Sequence, residues 1–456
     1  MNSNNKLGTG SVGKLMLSLA VPAVISQVVN MLYNIVDRMY IGHIAENGVE
    51  ALTGLGLCFP IIMIVSAFSS LFGMGGAPNA AIKMGEGDYK GAEKILGNCT
   101  TCLFTVAILL MVSLLIWGEN LLYIFGASEN TVTYAVEYLD IYAIGTIFVQ
   151  IALGLNMFIT TQGFAKYSML TVIIGAGTNI ILDPIFIFGF DMGVQGAAIA
   201  TTLSQAISAF WVIKFLTGNK TRLKIRKENL YLKKQVIIPI VALGLAPFIM
   251  QGTESILNIC FNVSLQKYGG DLAVGTMTIL SSIMSLCFMP LQGLTQGAQP
   301  IISYNYGAQK MDRVKKAIRL QIIVCVSFTF ICWLLITLIP QVFISIFNDD
   351  DKLLNMAIWA VRIYLSCLFT LGLQVSCQQT FVALGYAKIS LFLACLRKII
   401  LLIPLIFILP QFFDDKVYAV FLAEPVADVL SVTITFITFI FIMKSTFRKN
   451  RIAIEK

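Results

Sequence analysis

"PNAAIKMGEGDYKGAEK" occupies residues 78–94 and "PIISYNYGAQKMDRVKK" occupies residues 300–316. Pro78 and Pro300 stand 222 positions apart, as do Gly85 and Gly307. The same offset joins "GFAKYS" (163–168) to "GYAKIS" (385–390). Upstream, after a short gap, "LAVPAVISQVVNMLYN" (19–34) matches "LGLAPFIMQGTESILN" (243–258), pairing Gln27 with Gln251 and Asn34 with Asn258. Self-similarity held at one long period marks a duplicated structural unit.

Composition says what the unit is made of. Of 456 residues, 57% are hydrophobic and 12% are charged, about half the charge of a soluble domain. A membrane-spanning helix needs about 20 mostly apolar residues. Twelve segments qualify: 15–41, 50–82, 95–117, 134–161, 167–188 and 194–216, then 236–266, 272–305, 317–340, 357–384, 388–412 and 417–443. The first is too long for a signal peptide. The expected fold is an all-α polytopic membrane protein. One period of 222 residues contains six helices, an even number, so the halves run in the same direction as a parallel repeat. Two such lobes around a cavity suit alternating access.

Basic residues set the orientation. Of 32 Lys and Arg, 25 fall in the loops that share a side with both termini or in the last three helical residues flanking them, and only Lys267, Lys352 and Lys416 fall in the opposite loops. Both termini are therefore expected in the cytoplasm, with the chain in the cell membrane. The net charge of +8 reflects this bias and is no sign of a nucleic-acid partner. The basic stretch "NKTRLKIRKENLYLKK" (219–234) divides the chain into a lobe over 1–218, a linker over 219–235 lying near anionic lipid, and a lobe with its tail over 236–456. Each lobe has its partner in the same chain, so a monomer is expected.

Several chemistries are excluded. The single histidine, His43, makes a His-based metal site or general base untenable, and no GxxxxGK[ST] stretch offers a nucleotide cradle. None of the ten cysteines forms a CxxC pair with a matching second pair or a nearby His, and they read as core residues. No nucleophile–base set or filter-like loop points to an enzyme or a channel, and no cofactor is expected.

Polar residues inside apolar helices are costly and tend to be functional. Gln27, Asn30, Asn34 and Asp37 are spaced 3, 4 and 3, on one face of the first helix; Arg38 lies about 100° away. In the fifth helix, "GTNIILDPIFIFG" carries Asn179 and Asp183 at i, i+4, and Pro184 frees the carbonyl of Ile180. The sixth adds Thr201 and Thr202. Together these form an oxygen-only set suited to a shared proton or to Na⁺, because two neighbouring aspartates in low dielectric cannot both stay charged without a cation. The bland alternatives are a solvated Asp37 near the outer interface and hydroxyls bonded back to their own helix.

The second half carries Gln251, Glu254 and Asn258, but no acid where Asp37 and Asp183 would repeat. It has instead Arg397, Glu424 and Asp428. Arg397 can neutralise Asp428 or Glu424 as a structural ion pair. Alternatively the acids attract cationic substrates, Glu254 above all, since no basic partner for it is evident in the sequence. Met31, Met157 and Met284 would suit an adaptable apolar surface.

These residues carry a resemblance. Pro22, Gln27, Asn30, Asn34, Asp37 and Gly42, the "N…DP" of helix five, "GAAIAT" (196–201) and "GAP" (76–78) resemble the MATE family (multidrug and toxic compound extrusion). "AEPVADVLS" (423–431) resembles its bacterial MepA-like branch. The resemblance covers nearly the whole chain. It implies an antiporter that expels organic, often cationic, drugs and dyes in exchange for H⁺ or Na⁺. It places the coupling site on Asp37, Asn179, Asp183 and Thr201. Other branches carry an acid in helix seven, matched here by Glu254, and one in helix ten, where "CLFTLGLQVSCQQTFVALG" (367–385) has none. The alternative function is a flippase for a lipid or lipid-linked glycan, which would need clustered basic residues inside the helices.

Overall fold

The computed structural model describes residues 6–44, 48–345 and 351–454, and among these there is no strand. The first six helices are α1 (Val12–Gly42), α2 (Gly48–Gly85), α3 (Tyr89–Ile124), α4 (Glu129–Thr161), α5 (Ala165–Gly189) and α6 (Gly193–Thr217). A 74-residue helical run from Lys234 to Gly307 follows. As a single rod it would measure about 110 Å, far beyond a hydrocarbon core of about 30 Å. Gly270 breaks it, at φ 64° and ψ −160°, into α7 (234–269) and α8 (271–307). Then come α9 (Met311–Leu338), α10 (Asp351–Tyr364 and Leu368–Ala383, meeting at 46°), α11 (Ala387–Gln411) and α12 (Lys416–Ile454). These are the twelve expected spans. A helix satisfies its own backbone polar groups, so an apolar chain can cross lipid in this form.

The chain divides into two units by internal packing: residues 25–251, and residues 1–24 with 252–456. The sequence reading puts its boundaries in the loop at 219–235, whereas these divisions fall inside α1 and α7. Glycines give the reason. In the first unit the opening half of α7 lies against α2 so closely that a Cβ on Gly244 would sit 1.8 Å from the Leu71 carbonyl oxygen. In the second, a Cβ on Gly297 of α8 would come 2.4 Å from the Ala20 Cα of α1. Small residues allow backbones this close in a membrane, and they draw each half-helix into the unit it touches.

Connecting segments are strapped down by hydrogen bonds. Gln162 Oε1, at the end of α4, accepts from Thr221 Oγ1 (3.0 Å), Arg222 N (2.7 Å) and Leu223 N (2.9 Å). Arg226 Nε donates to Glu93 at 2.8 Å, and Asn98 accepts from Lys233 N at 2.8 Å while donating to Asn229 O at 3.2 Å. The basic linker is thus a fitted part of the first unit. In the second, the short helix Lys6–Thr9 is held by Asn305 Nδ2 and Arg313 Nη2, which donate to Leu7 O at 2.9 and 3.1 Å.

The repeat persists in backbone conformation. Gly163 and Gly385 both turn with left-handed φ, 89° and 80°. Gly87 has φ 85°, and at the matching position the second half places Gln309, φ 57°. A side chain there costs roughly 1–2 kcal/mol, partly offset by the extra freedom glycine has when unfolded. Gln309→Gly is therefore expected to stabilise the protein by roughly 0.5–1 kcal/mol, and Gly87→Ala to destabilise it. Thermal melting of the two purified variants checks both signs.

Candidate functional site

The oxygen-rich cluster expected from the sequence assembles in the first unit. Asn179 and Asp183 are fully buried on α5, Thr201 is 3% exposed on α6, and Asp37 is 7% exposed on α1. Asn179 Nδ2 donates to Asp183 Oδ1 at 3.0 Å and to Thr201 Oγ1 at 3.3 Å. The carboxyl groups of Asp37 and Asp183 face each other within hydrogen-bonding reach. Three buried acceptors, Asp37 Oδ1, Asn179 Oδ1 and Asp183 Oδ2, have no hydrogen-bond donor. Unsatisfied buried oxygens are rare and costly. Two facing carboxyls require a proton between them or a cation, and either would also satisfy these acceptors.

Local structure presents the group. Pro184 follows Asp183, and residues Ile185–Gly189 continue α5 as a wider π-helical turn. Such turns gather at functional sites. Two further members, Tyr33 and Tyr138, escaped sequence reading. Both lie near Asp37 and Thr201. Tyr33 is i−4 from Asp37, so its spacing could have disclosed it; Tyr138 comes from α4, and only the fold brings it near.

The α1 stripe is split. Asp37 turns into the lobe and Asn30 lines a small cavity with Tyr33, while Gln27 is half-buried. Asn34 is exposed, its Nδ2 bonded to its own helix at Asn30 O, 2.7 Å. Asn34 is therefore apart from the acids: the three-residue steps rotate it past the edge of the buried face. Arg38 lies over the Phe59 ring at 5.3 Å. Gln251 Oε1 accepts from Ser70 Oγ at 2.8 Å, and Thr202 bonds the Ile141 carbonyl at 3.4 Å.

In the second unit a π-helical segment, Leu396–Leu402 of α11, carries two adjacent basic residues. Arg397 Nε donates to Asp428 and its Nη2 to Glu424, each at 2.8 Å, and all three side chains are largely buried. Arg397 thus pairs with both acids, where the sequence offered one or the other. Glu254, half-exposed on α7, has a basic partner after all: the buried Lys398 donates to its Oε1. Asn258 is exposed on the same helix.

Two six-helix halves, each with a polar cluster inside apolar helices, define a membrane transporter. Residues 22–185 and 247–408 each match the MatE family model, and the chain belongs to that family. It is similar to the multidrug export protein MepA of Staphylococcus haemolyticus, 25% identical over 93% of this chain and 94% of that one. It is also similar to the MepA of Staphylococcus aureus strain MRSA252, 24% identical with the same coverage. Among solved structures, a MATE in the bent conformation shares the fold, with TM-score 0.92 and 21% identity over 99% of this chain and 100% of that one. The MATE multidrug transporter DinF-BH, solved in complex with a dye, is 34% identical, with TM-score 0.88 over 94% and 96%.

The C-half ion cluster yields a prediction. Removing one partner of a buried ion pair strands the rest, at a cost of roughly 3–5 kcal/mol. Arg397→Gln is expected to lose about that much stability, and the triple variant Arg397→Met with Glu424→Gln and Asp428→Asn to recover most of it. Denaturation of the two variants in detergent compares them.

Proposed function

We propose that this protein exports organic, often cationic, compounds from the cell in exchange for H⁺ or Na⁺, by alternating access of its two lobes. The observation that carries this reading is the buried pair Asp37–Asp183, with Asn179 and Thr201 beside it and unsatisfied carboxyl oxygens at its centre. Such a pair holds a mobile cation and changes charge when it gives it up. The names of the relatives, multidrug export proteins and a multidrug transporter with a dye bound, support the substrate class. Residues 1–218 and 236–456 act as the two moving lobes, joined by the basic segment 219–235.

The distribution of Lys and Arg favours both termini in the cytoplasm of a multi-pass protein of the cell membrane. Substrates enter from lipid or cytoplasm, and the protein works as a monomer. Exchange follows from linkage. A cation on the acid pair favours one conformation and the drug favours another, so each lowers the affinity for the other.

The test is ethidium efflux from energised cells, with pH and Na⁺ gradients collapsed separately. Efflux is expected to stop with one of the two collapses, which names the ion. Coupling free energies of the usual size correspond to roughly 5- to 150-fold effects, and Asp37→Asn is expected to slow efflux by at least about tenfold at matched expression. Efflux at the wild-type rate in this variant would refute the coupling site. No efflux from wild type would favour the flippase alternative.

A further inference from the structure

A second polar feature lies in the first lobe, toward the linker end from the acid cluster. A cavity of about 40 Å³ is lined by Asn30 and Tyr33 of α1, Asn156 of α4, Thr171 of α5, and Ser204 and Ser208 of α6. That space holds roughly three waters, and its walls offer them many partners. Tyr33 belongs to both features: it lines the cavity and lies near Asp37, four residues before it on α1.

Below the cavity the polar groups continue. Ser208 Oγ donates to Thr171 O at 3.2 Å, and Thr171 Oγ1 donates to Asn156 Oδ1 at 3.1 Å. Asn156 Nδ2 donates to Ser168 O at 3.2 Å. Thr171 also reaches Tyr167 O at 3.2 Å, and the Tyr167 hydroxyl accepts from Lys220 of the exposed linker at 3.3 Å. From Asn179 to Tyr167 the α5 axis covers about 18 Å, and this row accompanies it throughout.

Packing keeps the row open, and the repeat shows what was given up for it. A Cβ on Gly175 would come 2.4 Å from Ser208 Oγ. At the 222-residue offset, Gly175 and Ala176 stand where the second half carries Arg397 and Lys398. The second lobe answers its acids with fixed cations; the first has small residues and a polar cavity in the same register.

We infer that this row is a water-assisted passage by which a proton leaves the Asp37–Asp183 pair for the linker side of the lobe. It rests on the reading of that pair as the coupling site and on H⁺ as the ion. The doubly protonated carboxyl pair gives one proton to the Tyr33 hydroxyl as Tyr33 releases its own to cavity water; that proton goes past Ser204, Ser208 and Thr171 to solvent near Tyr167, and the pair keeps one proton between its carboxyls.

The experiment uses purified protein in proteoliposomes holding a trapped pH dye, with ethidium as substrate, and measures ethidium-driven proton movement beside ethidium affinity. Thr171→Val with Ser208→Ala removes two hydroxyls at nearly constant shape. This double variant is expected to slow proton movement at least tenfold with unchanged affinity, and Thr171→Ser alone to keep wild-type speed. The passage is overturned if the double variant moves protons at the wild-type rate while Asp37→Asn does not; the coupling site then survives. It is overturned too if affinity falls in step with rate, which marks a packing or substrate role. Wild-type proton movement in Asp37→Asn, or none in wild type, removes the coupling reading and the passage with it.

Discussion

A carboxyl group inside a hydrocarbon-spanning bundle must have a cation or a proton, and the rest of this structure is arranged around that requirement. Burying an unpaired charge is far costlier than burying any apolar side chain is favourable. The two halves answer differently. In the second, Arg397 and Lys398 are built into a π-helical segment and hold Glu424, Asp428 and Glu254. In the first, Asp37 faces Asp183 with amide, hydroxyl and phenol groups around them. A fixed cation makes a fixed structure. A pair without one needs a proton or a bound cation in its place.

Duplication explains why both answers occur in one chain. The halves share turns, lengths and register, down to a left-handed residue at 87 and again at 309. Once the scaffold was secured twice, the polar content of each copy could differ. Replacing Gly175–Ala176 by Arg–Lys at the same register is a change of two adjacent positions. It goes with acids at 254, 424 and 428 and with a π-helical segment at 396–402, where the matching stretch of the first half is α-helical.

Much of the fold was legible in the sequence because lipid imposes a simple grammar. Span count and repeat follow from run length and the 222-residue offset. The break at Gly270 fell where two apolar runs were expected. The candidate site was legible in its acids, since Asp37 and Asp183 are conspicuous in apolar surroundings. Its aromatic members were not. Tyrosines are common at helix ends, and nothing local marks Tyr138 as a neighbour of Thr201. Asn34 misled because spacing gives only an approximate angle, and a stripe of four polar residues is wider than the buried face of α1. Lys398 was missed as the partner of Glu254 because 144 residues separate them and a π-helical turn re-aims the side chain.

The unit boundaries inside α1 and α7 bear on how such a site can drive movement. Asp37 of α1 lies beyond residue 25, in one unit, while the first half of the helix belongs to the other. Gly244 against Leu71 and Gly297 against Ala20 are backbone contacts with no side-chain cushion. Close-packed contacts of that kind do not yield gradually; they either hold or re-form elsewhere. The acid of α1 thus sits in a helix whose two halves are packed in this all-or-none way, each within its own unit.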